Sequence, residues 1–148
     1  MFKPIRKIYA PILIILFILM GTNACKDEYN SVIPYVTVRM DINPTNFIEL
    51  NIPGGSYYFP NYGYGGVILF RDLTDSSNPF LAYDATCTHE ISSTTRVVAN
   101  ESGIATCPTC KSQFILFSGN GNPIKGPAIE PLRQYRTNYV GGRIIVTN

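Results

Sequence analysis

From Val36 to Ile42, apolar Val36, Val38, Met40 and Ile42 alternate with polar Thr37, Arg39 and Asp41. That period of two is the mark of a half-buried strand. Ile48, Leu50 and Ile52 repeat it around Glu49 and Asn51 and predict a second strand. Val67–Phe70 and Phe80–Tyr83 are short unbroken apolar runs bounded by turn formers or charge, as expected of fully buried strands. Thr94–Val98 is rich in β-branched residues, Asn100–Gly103 is turn material and Ile104–Thr106 can return, so a hairpin is expected there. Lys111–Phe117 reads as the following strand. Twelve glycines and eleven prolines punctuate the chain, and past residue 25 no segment sustains a long 3.6-residue apolar period. The expectation is an all-β domain of short strands.

The first 25 residues follow a different pattern. Lys3, Arg6 and Lys7 precede an apolar run, Ile12–Met20, and then Gly21, Thr22, Asn23, Ala24 and Cys25. The run is shorter than the roughly 20 residues a bilayer-spanning helix needs, so it reads as an export signal. It resembles a bacterial lipoprotein signal, with residues 1–24 removed and Cys25 lipidated. A plain secretory signal and an uncleaved anchor also fit, because Thr22 and Asn23 depart from the lipoprotein box. Residues 25–32 then form a short polar tether, in which Lys26-Asp27-Glu28 resembles the charged tag of surface-exposed lipoproteins. The expected location is the cell envelope, on a lipid anchor in a bacterial membrane, with the outer membrane favoured.

Removing the signal takes three of the 12 basic residues and none of the 10 acidic ones, leaving a chain near −1. No basic stripe survives, so nucleic acid is not an expected partner. The remaining 124 residues suit one domain with its own core.

Candidate chemistry is concentrated. Besides Cys25 there are three cysteines and one histidine, all within Cys87-Thr88-His89 and Cys107-Pro108-Thr109-Cys110. Thiolate and imidazole are the ligands of zinc and of iron–sulfur clusters. The alternative is a set of small buried cysteines and a hydrogen-bonded histidine; against it stands the placing of the sole histidine beside a cysteine. Three cysteines cannot all pair as disulfides in an exported chain, which favours a metal site. Seventeen residues separate His89 from Cys107, and the expected hairpin would bring both boxes to one end of the sheet. Glu90 has no companion carboxylate or nucleophile and is not read as catalytic. Tyr57, Tyr58, Tyr62 and Tyr64 read as packing on the sheet in preference to a binding face, and Arg133, Arg136 and Arg143 as solvated strand positions in preference to a docking patch.

The two boxes and their flanks resemble the Rieske iron–sulfur family. Ala82 to Glu90 looks like the strand and first cluster loop, and Cys107 to Phe114 like the second loop with its exit strand. Ser118-Gly119, Gly126-Pro127-Ala128 and Pro131-Leu132 look like the turn, the proline loop and the return to the base. Gly54-Gly55-Ser56 and Gly66 to Arg71 look like the early strands. The resemblance spans about residues 33–148 and implies an antiparallel β-sandwich with a cluster-binding subdomain at about 84–118. It implies a [2Fe-2S] cluster, with Cys87 and Cys107 on the inner iron and His89 and Cys110 on the outer. It further implies one-electron exchange with a redox protein partner and no catalysis by the chain itself, since an oxygenase of this family needs a further mononuclear-iron domain.

Cys110 departs from the family, which has histidine there. A thiolate in its place adds negative charge and implies a potential below the family's usual range of roughly −150 to +300 mV. Ser92 and Thr109 stand where some members carry an inter-loop disulfide. Three cysteines and a histidine are also an ordinary set for Zn2+. The alternative is therefore a non-redox lipoprotein whose zinc-stapled or empty scaffold serves as a binding module.

Overall fold

In the computed structural model, which describes residues 31–74 and 76–148, the alternation that starts at Val36 becomes strand β1 (Arg39–Ile42). Val38, Met40 and Ile42 are buried, while Thr37, Arg39 and Asp41 face solvent. The signal segment, Cys25 and the tether as far as residue 30 lie outside the described residues. The remaining strands are β2 (Ser56–Phe59), β3 (Val67–Arg71), β4 (Phe80–Asp84), β5 (Val98–Ala99), β6 (Ile104–Thr106), β7 (Gln113–Ile115), β8 (Pro123–Lys125), β9 (Gln134–Val140) and β10 (Arg143–Thr147). They form a six-stranded sheet in the order β1-β10-β9-β4-β3-β2 and a four-stranded sheet in the order β5-β6-β7-β8. All pairings are antiparallel. The described residues contain 3₁₀ turns and no α-helix, so the all-β expectation holds.

The central strands explain the unbroken apolar runs. Val67 and Leu69 of β3, with Phe80 and Ala82 of β4, point into a base core with Val38, Met40, Leu50, Ile144 and Val146. Ile68, Phe70 and Tyr83 point the other way, into a second core with Val97, Ala105, Phe114, Leu116 and the thiols Cys87 and Cys107. Both faces of β3 and β4 are therefore covered, and polar alternation would bury polar groups without partners. The site thus shares one continuous core with the smaller sheet.

One predicted strand is not there. Ile48–Asn51 is a 3₁₀ turn, in which Leu50 is fully buried while Ile48 is 74% and Ile52 60% exposed. Local hydrogen bonds outcompete strand pairing: Asn43 caps the preceding turn by accepting from Thr45 N–H, and the Asn51 amide donates to the Pro44 and Phe47 carbonyls. Two other strands are shorter than the apolar pattern suggests. Thr94–Val98 contributes only Val98 to β5, plus a single bridge from Arg96 to Thr86, and Lys111–Phe117 contributes only Gln113–Ile115. Lys111, at φ 63°, is bent into the left-handed region and ends the second cysteine box instead of starting the strand.

Tyr57, Tyr58 and Tyr62 serve packing. Tyr57 lies against Phe47 and Phe59, and the Tyr58 hydroxyl donates to the Gly65 carbonyl at 3.0 Å. Among the C-terminal arginines, Arg143 pairs with exposed Asp41, and Arg133 donates to the Pro34 carbonyl.

Candidate metal centre

β4 delivers the first box and the β5–β6 hairpin returns the chain to the second. The hairpin forms as expected, with Val98 opposite Thr106 and Ala99 opposite Ala105, and its turn closes on the Asn100 side chain, which accepts from Ser102 and Ile104 N–H. Two boxes far apart in sequence therefore meet. The Sγ atoms of Cys87, Cys107 and Cys110 all lie within 4.8 Å of one another, and all three cysteines are free. Cys87 and Cys107 are fully buried and Cys110 is partly exposed.

The second box is a tight turn. Lys111 N–H donates to the Cys107 carbonyl and Cys107 N–H to the Ser112 carbonyl, while the Lys111 ammonium reaches the Pro108 carbonyl at 2.6 Å. This folds the chain back so that Cys107 and Cys110 present their sulfurs to the same point. Ser112, wholly buried, joins the turn to the segment above it. Its hydroxyl lies 3.1 Å from Cys110 Sγ and accepts from Ala128 N–H at 3.0 Å. Gly126 makes that approach possible, since a Cβ there would come within 2.5 Å of Ser112 Cα. On the other side, the Thr88 hydroxyl donates to the Glu130 carbonyl at 2.7 Å. Both boxes are thereby held to residues 126–130 without a disulfide, and Ser92 bonds its neighbour Thr94, not Thr109.

The three thiols are electrostatically unequal. Burial pushes Cys87 up to about 12, against the pull of the Glu90 and His89 backbone amides. Burial also raises Cys110, but the Ser112 hydroxyl and amide and the other two thiols outweigh it, so its net direction is down. Cys110 is the more readily deprotonated of the two, whereas a metal bound here would have to displace the proton of Cys87.

His89 stands apart from the three-thiol group. Its side chain is 45% exposed, with Nε2 3.9 Å from a Glu90 carboxylate oxygen. The structure thus brings together three of the four ligands expected from the sequence and leaves the imidazole outside that group, at the surface. Sequence reasoning missed Ser112, whose only signal was its place two residues after Cys110, and Asp84, whose partners lie elsewhere in the chain.

No family model and no curated protein matches this chain. Solved structures do. A chain from the complex of reduced oxygenase and oxidized ferredoxin in carbazole 1,9a-dioxygenase aligns with TM-score 0.52 and 19% identity, over 74% of this chain and 93% of that one. The ferredoxin of carbazole 1,9a-dioxygenase from Nocardioides aromaticivorans aligns with TM-score 0.50 and 24% identity, over 76% and 97%. The plasma membrane Rieske protein of Synechocystis PCC 6803 aligns with TM-score 0.50 and 26% identity, over 76% and 98%. The fold is the Rieske fold. Within the Rieske fold the three-thiol group sits where two loops meet at the end of the small sheet, and its donors suit the metal chemistry that thiolates support. Two buried thiols and a third with a lowered pKa form a soft, partly desolvated set, which fits a thiolate-held metal centre better than inert core cysteines.

Proposed function

We propose that this chain is a Rieske-type electron carrier holding a [2Fe-2S] cluster, exported and tethered to a bacterial membrane through lipid on Cys25. The observation that carries the reading is the convergence of Cys87, Cys107 and Cys110 within a Rieske fold. The neighbours of that fold include a ferredoxin and a membrane Rieske protein by name, which supports electron transfer with a protein partner over catalysis by the chain itself. Cys87 and Cys107 would hold the buried iron, and Cys110 with His89 the outer one. The exposed imidazole is two residues from Cys87 and is not locked into a buried role. A cluster held in this way would supply one-electron transfer. The residues around it do the rest. Phe114, Leu116 and Ala105 exclude water from the inner thiols, Ser112 offers a hydroxyl to Cys110, and exposed Pro108 and Thr109 leave the outer side open to a partner.

The chain lacking its first 25 residues, produced with ample iron, is expected to be brown and to contain about two irons and two acid-labile sulfides. Metal and sulfide analysis with an absorption spectrum checks this. A second reading, structural zinc, is favoured by one observation. Cys87 and Cys110 Sγ are 3.5 Å apart, close to the roughly 3.8 Å between sulfurs on one tetrahedral zinc with bonds of about 2.3 Å. A colourless protein with one zinc and no sulfide would establish that reading and end the electron-transfer one.

The anchor has its own test. Cys25→Ser is expected to release the protein from the membrane fraction or leave its signal uncut, read by fractionation and intact mass. Normal processing with unchanged membrane association would overturn the lipid assignment.

A further inference from the structure

Asp84 closes β4 three residues before Cys87, and it is completely buried. Five hydrogen bonds converge on its carboxylate. Oδ1 accepts from Gly65 N–H at 3.2 Å, Thr86 N–H at 2.9 Å and the Thr86 hydroxyl at 2.5 Å. Oδ2 accepts from Tyr64 N–H at 2.7 Å and the Tyr135 hydroxyl at 2.8 Å. Three of these partners are backbone amides, which can only donate, and both oxygens are occupied by donors. The two hydroxyls can donate as well, so all five bonds suit a carboxylate as acceptor. Among the described residues no Lys, Arg or His forms an ion pair with it. A buried charge without a countercharge persists only where hydrogen bonds replace its water, and here they do.

The backbone around Asp84 is shaped to allow this. Gly63 adopts φ +69°, and a Cβ there would lie 2.6 Å from Asp84 Oδ2 and 2.9 Å from the Tyr135 hydroxyl. The partners also divide by location. Tyr135 belongs to β9 of the large sheet and Tyr64 and Gly65 to the loop before β3, whereas Thr86 adjoins the first ligand, Cys87. One carboxylate therefore ties the base of the protein to the root of the first ligand box, in a chain whose three described cysteines form no disulfide.

We propose that Asp84 is the positioning residue of the metal centre: it fastens the first ligand box to the large sheet and places a carboxylate charge at the root of that box. The fastening is independent of which metal is bound, whereas the effect of the charge rests on the iron reading given above. The sign follows from electrostatics. A fixed negative charge disfavours arrival of an electron nearby, so Asp84 lowers the potential. Its hydrogen bonds, including that from Tyr135, partly offset it.

Two variants of the full chain separate charge from structure. Asp84→Asn removes the charge and presents an amide to five groups, of which the three backbone N–H groups can only donate. It is expected to raise the potential and to speed amide exchange at Tyr64, Gly65 and Thr86. Tyr135→Phe keeps the charge and removes one compensating donor, so it is expected to lower the potential. Opposite shifts cannot come from simple loosening of the fold. Shifts of the same sign, or none in either variant, overturn the charge role, and unchanged exchange in Asp84→Asn overturns the fastening. If Asp84→Asn does not fold, Tyr135→Phe decides: a lowered potential supports the proposal and an unchanged one overturns it. Amide exchange is read whatever the protein carries. A colourless wild-type protein therefore ends the charge role together with the iron reading, while the fastening still stands or falls on exchange.

Discussion

Cys110→His is expected to raise the reduction potential of the iron-loaded protein by on the order of 100 mV or more, given the gap between all-cysteine and two-histidine clusters. A thiolate at Cys110 would contribute a negative charge that opposes reduction, and the groups around it keep the thiol readily deprotonated. The Ser112 hydroxyl, 3.1 Å from Cys110 Sγ, and the neighbouring thiols favour the deprotonated form. A neutral imidazole removes that charge and adds a second protonatable ligand, so the potential should also become more dependent on pH above neutrality. His89→Cys should move the potential downward if the cluster survives. Redox titration of the three proteins at several pH values measures both effects. An unchanged potential in Cys110→His, with the cluster intact, would remove Cys110 from the ligand set and require a fourth group elsewhere.

Phe114→Ala is expected to destabilise the fold by about 3–5 kcal/mol, the usual cost of emptying a buried aromatic position. Phe114 is fully buried on β7, in the core that also contains Cys87 and Cys107. Tyr83 fixes one wall of that core by donating to the Leu116 carbonyl at 2.7 Å, so the walls have little freedom to collapse into the vacated space. The loss should appear as a lower denaturant midpoint and as faster loss of metal to a chelator, because the cavity opens in the core that contains two of the thiols. A destabilisation confined to the fold, with metal retention unchanged, would show that the ligand boxes are held independently of this core.

The physical split between these two predictions follows the architecture. The three thiols come from loops whose chemistry is set by the charges and donors around them, while the scaffold is set by burial on the two faces of β3 and β4. Asp84 and Ser112 link the two, each bonding residues from more than one part of the chain.

The sequence by itself determined the strands whose patterns are reinforced by burial, and it singled out the three thiols that the fold brings together. Val67–Phe70 and Phe80–Tyr83 were legible because strands covered on both faces have no tolerance for polar residues. The two cysteine boxes were legible because three thiols and one imidazole are rare in this chain and clustered, and the intervening turn at Asn100–Gly103 required their meeting. Ile48–Ile52 was misread because three apolar residues at a spacing of two do not reveal whether a partner strand is available. Side-chain bonds from Asn43 and Asn51 to nearby backbone made a 3₁₀ turn the better local solution. Only the tertiary structure decided that His89 stays at the surface, apart from the three thiols, that Ser112 binds Cys110 to the Gly126–Ala128 segment, and that Asp84 joins the first box to β9. The reason is distance along the chain. Asp84 meets Tyr64 at a separation of 20 residues and Tyr135 at 51, and no local pattern encodes which donors a buried carboxylate will find once the sheet has closed around it.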